Sequence, residues 1–191
     1  FFWFPWVNLL LVPAATMRLW AEERRTGTIE LLLTFPVTLT EALAGKFFAA
    51  WAFMSLATLL TFPIVLTTAW LGNPDGGAVV GGYVGAILLA GAYVAVGILT
   101  STTTRNQVIG FVLAFVVCLF LALAGWPPVT DIVNRWAPSW LVNAVASLSV
   151  MPHYESLQRG VIDLRDVVYY ASVMVLALFG AYLIIENRKS A

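Results

Sequence analysis

The chain has 191 residues, 61% hydrophobic and 10% charged, with ten basic and ten acidic side chains and no net charge. Soluble domains carry about 25% charged residues, and one small core cannot hide this much apolar surface, so lipid must take some of it. No basic patch stands out, which argues against nucleic acid, and the single Cys118, inside an apolar run, cannot form an intrachain disulfide.

A membrane-crossing helix needs about 20 apolar residues. Five segments meet or approach this, at about 1–17, 47–71, 78–100, 108–126 and 167–185. The first contains Pro5 and Pro13, and the second contains Pro63 as an expected kink. None of the last four holds an Asp, Glu, Lys, Arg or His. Phe1 lies directly in an aromatic apolar stretch. With an alternating topology, a further span should precede it if the protein's N-terminus is cytoplasmic, giving six in the whole protein.

Between the first two spans lies a charged segment, 18–46, that holds eight of the chain's 20 Lys, Arg, Asp and Glu residues. Its Arg18 to Thr34 stretch has helical spacing, with Glu and Arg close enough for intrahelical pairs. Gly27 interrupts that stretch and Pro36 ends it. Thr38-x-x-Glu41 matches a capping box, so a new helix should start near Thr38 and run into the second span. A segment so charged is either a solvated juxtamembrane helix or a docking helix whose Leu31, Leu32 and Leu33 fit a groove on a soluble partner. Arg18, Arg24, Arg25, Lys46, Arg105, Arg188 and Lys189 fall on one side of an alternating topology, which should be cytoplasmic.

The third span carries Gly81, Gly82, Gly85, Gly91 and Gly97. Gly81-x-x-x-Gly85 permits close helix approach; intramolecular packing is the preferred expectation, a dimer seam the alternative. The hydroxyls of Thr58, Thr61, Thr67 and Thr68 could line a path, but in membrane helices they more often bond their own backbone. Residues 127–166 should form short interfacial or re-entrant helices on the outer side, with Trp126, Trp136 and Trp140 at headgroup level. The lone His153 has no second His and no Cys nearby, so metal spacing is absent; an interfacial hydrogen-bonding role is the simpler expectation. Ionisable groups at bilayer depth, which an ion-coupled carrier needs, are missing.

Arg18, Glu22 to Arg24, Gly27-Thr28, Glu30, Leu31 to Thr34, Pro36, Glu41 and Gly45-Lys46 resemble the ABC-2 type permease pattern. So does His153-Tyr-Glu-Ser-Leu-Gln-Arg-Gly-Val-Ile-Asp-Leu-Arg-Asp166 followed by a last span. The nearest likeness is to gliding-motility and nitrous-oxide-reductase-maturation permeases. The resemblance implies an all-α polytopic transmembrane protein, the membrane subunit of an ABC exporter, multi-pass in a bacterial plasma membrane. It implies a partner ATP-binding subunit, a second permease chain, identical or not, surrounding lipid, and an optional extracytoplasmic accessory protein. Glu22, Glu23, Arg24, Arg25, Gly27, Thr28 and Glu30 would form the coupling helix that touches the ATP-binding subunit. Lys46 would anchor the next span at the inner interface. The outer segment 127–166, with His153, Arg159, Gly160 and Asp163, would close the export path.

No catalytic residue, metal site or cofactor is expected in this chain. Gly45-Lys46-Phe47 lacks the upstream glycine and the hydroxyl of a phosphate-binding loop, so ATP and magnesium would belong to the partner. The alternative is a membrane scaffold that docks a soluble protein without moving a substrate.

Overall fold

The computed structural model describes residues 1–27, 38–135 and 138–189, and every described element is helical. In chain order these are α1 (Phe4–Thr16), α2 (Ala21–Thr26), α3 (Leu39–Leu59), α4 (Phe62–Leu71), α5 (Gly76–Thr103), α6 (Gln107–Leu123), α7 (Pro127–Asn134), α8 (Ser139–Ser147), α9 (Val150–Gln158) and α10 (Leu164–Lys189). Three stretches are long and apolar enough to cross a membrane: Leu39–Leu71, Gly76–Thr103 and Leu164–Asn187. At 1.5 Å per residue, α1 with 13 residues and α6 with 17 span about 20 and 26 Å, against a hydrocarbon layer of about 30 Å. Of the five expected spans, these two are the short ones.

α5 is the centre of the bundle. It packs against α1, α3, α6, α9 and α10, and residues Leu89 to Ile98 are buried without a break. Small side chains make this possible, because Gly and Ala let several backbones approach one helix at once. A Cβ on Gly97 would collide with Thr16 of α1, and one on Gly91 would lie 2.5 Å from Met174 of α10 and 2.8 Å from the Trp51 indole of α3. Gly81 and Gly85 face Leu157 and Tyr154 of α9. The Gly81-x-x-x-Gly85 pair is thus spent on intramolecular packing.

The contacts fix the relative directions of the helices. Phe1 meets Gly82 and Thr16 meets Gly97, so α1 runs parallel to α5. Met174 meets Gly91 and Leu99 meets Gly180, so α10 is parallel to α5 as well. Trp51 Nε1 donates to the Ile87 carbonyl (2.8 Å) and Thr61 bonds the Tyr83 hydroxyl (3.1 Å), so α3 is antiparallel. Gly110 lies beside Ser101, and Ser149 Oγ, which leads into α9, bonds Ala122 near the far end of α6, so α6 also runs antiparallel.

The capping box forms as its spacing predicts. Thr38 Oγ1 accepts from Glu41 N–H, and Glu41 accepts from Thr38 N–H at 2.8 Å. The helix it opens is interrupted at Leu60 and Thr61, just ahead of Pro63. Proline has no N–H to donate and its ring clashes with the preceding turn, so α3 ends at Leu59 and Pro63 sits in the first turn of α4. Thr61 Oγ1 donates to the Thr58 carbonyl at that break (2.6 Å). Thr58, Thr67 and Thr68 likewise donate to carbonyls three or four residues upstream. These hydroxyls bond the backbone of their own helices, and that of Thr61 also reaches Tyr83 on α5. α4 buries no residue against the rest of the chain.

Past α6 the chain forms three short helices, α7 to α9, of eight or nine residues each. None is long enough to cross. Trp126 and Trp140 are exposed; Trp136 lies outside the described residues.

Candidate functional site

The charged segment resolves into a six-residue helix, α2, that stops where Gly27 adopts φ +73°. Only glycine takes that left-handed conformation without a Cβ penalty, and it ends the helix. Glu22 and Glu23 occupy the first turn and Arg24 and Arg25 the last, each on the favourable end of the helix dipole. Of the expected contact residues, Glu22, Glu23, Arg24, Arg25 and Gly27 are therefore placed. Thr28 and Glu30, with Leu31 to Thr34 and Pro36, lie outside the described residues.

Three points of attachment tie α2 to the bundle: Ser101, Thr102 and Lys46. The residue preceding α2, Trp20, offers no side-chain cap. Its place is taken by Ser101, 80 residues away on α5, whose Oγ accepts from the Trp20 and Ala21 N–H groups at 3.1 Å each. The same hydroxyl donates to the Met17 carbonyl at 3.1 Å. A serine hydroxyl has one donor and two acceptor positions, so all are used. Arg24 donates to the Thr102 carbonyl, one of the α5 terminal carbonyls that lack a partner within their own helix.

The third tie runs to α3. Lys46 Nζ lies 2.5 Å from Glu23 Oε1 and 2.5 Å from the Leu19 carbonyl, and 4.0 Å above the ring of the buried Trp20. Both charged groups are mostly covered, with 19% and 27% of the side chains exposed. Water screens this attraction less than in an open surface pair, while the loss of hydration on partial burial is set against it. Glu22 pairs instead with Arg25 at 2.7 Å on the open side. One side of α2 is thus bolted to α3 and α5, while Arg25, Thr26 and Gly27 face outward.

Ser101 is the sensitive point. Removing its hydroxyl in Ser101→Ala leaves two N–H groups and one carbonyl without their partner, each costing about 1–3 kcal/mol when buried. We expect a loss of several degrees in the melting temperature of the detergent-purified protein, measured by intrinsic tryptophan fluorescence. Thr103→Ala, on the exposed side of the same turn, should leave it unchanged.

At the opposite end of the bundle, His153 Nδ1 lies 2.7 Å from Asp166 Oδ1, and its ring stacks on Tyr169 at 4.0 Å. His153 is therefore a structural hydrogen-bonding residue. Its partner Asp166 was not singled out by sequence spacing. Tyr154 donates to the Phe1 carbonyl at 2.9 Å, and burial pushes its phenol up, which keeps it a neutral donor. Gly160 adopts φ +83° where a Cβ would lie 2.8 Å from the Gly77 carbonyl carbon. Asp163 caps the start of α10, accepting from Arg165 N–H at 3.0 Å. Arg159 pairs loosely with Glu155 at 3.7 Å, in the open. The four outer residues thus do not converge on one site. Gly160 and His153 hold α9 against α5 and α10, and Arg159 is peripheral.

Sequence spacing also missed Ser101 and Thr102. The run Thr100-Ser-Thr-Thr-Thr-Arg105 was the available signal: hydroxyls clustered where an apolar helix reaches its basic end. Among the described residues, no group of three or more His, Cys, Asp and Glu side chains comes together.

Compared with known proteins, residues 10–185 match the family described as ABC-2 family transporter protein. None of the curated proteins compared with the chain matches it.

Proposed function

The chain belongs to the ABC-2 family of transporter proteins, and on that premise we propose that it is the permease subunit of an ATP-driven exporter in which α2 takes up motion from a separate ATP-binding subunit. It is a multi-pass membrane protein by its apolar helices and its family. In this proposal the basic end, with Arg18, Arg24, Arg25, Lys46 and Arg105, faces the cytoplasm, as a plasma-membrane protein of positive-inside topology requires. ATP and magnesium are bound and turned over by the partner, and two permease chains together form the path.

The observation that carries the coupling role is the bonding of α2 to α5. Ser101 and Arg24 join the charged helix to the helix at the centre of the bundle. A push on the exposed side of α2 reaches every packed helix through α5. Coupling of this kind needs a stiff element linking two states of an interface. Two bonds to Ser101, one to Thr102 and the Glu23–Lys46 pair make α2 such an element.

The test is a mild-detergent pull-down of the full-length protein, followed by ATPase assay of what comes with it. Wild type should retain a nucleotide-hydrolysing subunit. Exchanging charges in Glu22→Arg with Arg24→Glu should lower the retained or transport-coupled ATPase by at least about tenfold, the scale of a lost interfacial charge contact, with membrane insertion intact. Normal ATPase and transport in the exchange variant would remove α2 from the coupling role. Absence of any nucleotide-binding partner would favour a membrane scaffold that docks a soluble protein without transport.

A further inference from the structure

We propose that the cleft between Arg25 and Arg105 holds the headgroup of an anionic phospholipid whose acyl chains lie along α6. The cleft has a volume of about 350 Å³ and is lined by Arg25, Arg105, Asn106, Gln107 and Val108. Arg105 is exposed and has no hydrogen-bond or ion-pair partner among the described residues. Arg25 engages Glu22 through one nitrogen. A guanidinium has five N–H donors, so among the described residues most of its donors remain open. One carboxylate beside two guanidinium groups leaves the cleft net positive. Asn106 Oδ1 accepts the Val108 N–H at 2.9 Å at the start of α6, and the charge of the cleft comes from the two arginines.

A second feature separates a lipid from a free anion. Val108, Val112, Val116 and Phe120 recur every four residues and so form one stripe, and all are exposed, at 66%, 49%, 53% and 52%. The stripe starts in the cleft itself, at Val108. A free phosphate would use only the cleft. An acidic segment of a soluble protein would satisfy the arginines and leave the stripe bare. A phospholipid with a negative headgroup matches both halves, charge at the interface and hydrocarbon beyond it. Basic pockets beside transmembrane helices on the cytoplasmic side bind such headgroups. The proposal rests on the membrane placement proposed above and not on the ATP-binding partner.

The experiment is native mass spectrometry of the full-length protein in neutral detergent, titrated with phosphatidylglycerol or phosphatidylcholine. Wild type should bind phosphatidylglycerol at several-fold lower concentration. Arg25→Ala and Arg105→Ala should each weaken it by about fivefold, and phosphatidylcholine should not change. Arg159→Ala, at the other end of the bundle, should change neither. If the double variant fails to insert, wild type alone decides: its preference for phosphatidylglycerol must shrink as salt rises, since screening weakens exposed charge contacts.

Equal binding of the two lipids by wild type overturns the proposal, as does an unchanged preference in the double variant. Complete displacement of phosphatidylglycerol by inorganic phosphate also overturns it and leaves a plain anion cleft. Loss of a copurifying ATP-binding subunit with lipid preference intact would assign the arginines to a protein contact instead. The lipid titration is made without that subunit, so its failure and the failure of the transporter proposal are read separately.

Discussion

Lys46→Glu is expected to abolish coupled ATP turnover while the variant still reaches the membrane. Lys46 serves three neighbours at once: Glu23, the Leu19 carbonyl and the face of Trp20. A glutamate at this position would set two carboxylates against each other in a largely covered site, and would offer nothing to Leu19. Removing one partner of a fully buried pair costs about 3–5 kcal/mol. With a fifth to a quarter of each side chain exposed, we expect about half of that, enough to release α2 from α3. Glu23→Lys alone should have the same sign. The exchanged pair, Glu23→Lys with Lys46→Glu, should recover a substantial part of the activity, because attraction returns even though the bond to Leu19 does not. Measurement of ATPase in the reconstituted complex, alongside membrane yield, decides the matter. If the exchanged pair is as inactive as the single variants, the ion pair is not what holds α2 in register. If Lys46→Glu is fully active, α2 need not be tied to α3 at all.

How much of this was legible beforehand follows from the range of each interaction. The capping box at Thr38 and Glu41 was readable because both partners lie within one helical turn. The interruption at Gly27 was readable for the same reason, since a backbone preference is carried by the residue itself, while the expected end at Pro36 lies outside the described residues. Pro63 announced a disruption, but its exact place, at Leu60 and Thr61, depends on the local turn, where the Thr58 carbonyl accepts both the Thr61 N–H and the Thr61 hydroxyl. The all-helical membrane class was written in composition and apolar run length.

The long-range partners were not readable. The glycines of α5 said that something approaches closely, and could not say that it is Thr16 on one side and Leu157 on another. Ser101 looked like one hydroxyl among several, and its importance comes from two backbone N–H groups some 80 residues away. Asp166 became the partner of His153 only once α9 and α10 were packed. In each case the sequence supplied a donor, an acceptor or a gap, and the fold supplied its complement. Thr28 and Glu30, expected in the same contact surface as Glu22, fall outside the described residues and stand as expectations.

Gly81→Leu should open the end of the bundle opposite α2. The Gly81 Cα faces the Leu157 carbonyl and lies so near Gly160 that an added Cβ would sit 3.0 Å from the Gly160 Cα. Gly160 in turn rests on the Gly77 backbone and needs its positive φ to do so. These are backbone contacts on both sides, so no side chain can rotate away to make room. The added bulk must lift α9 off α5. Overpacking of this kind costs about 1–3 kcal/mol, which corresponds to a roughly 5- to 150-fold rise in the population of the opened arrangement. Leu157 is fully buried in the closed form and reports on it directly. In a Cys118→Ala background, Leu157→Cys should react slowly with a membrane-impermeant maleimide, and faster by that factor once Gly81→Leu is added. Gly160→Ala should act in the same direction. Gly72→Ala, where nothing lies within 4 Å of the new methyl, should have no effect. If all of these react alike, α9 is not held shut by its fit against α5, and the His153–Asp166 contact is the next candidate for holding this end together. Faster labelling only in the Gly81 and Gly160 variants would show that two glycines on facing backbones hold α9 against α5.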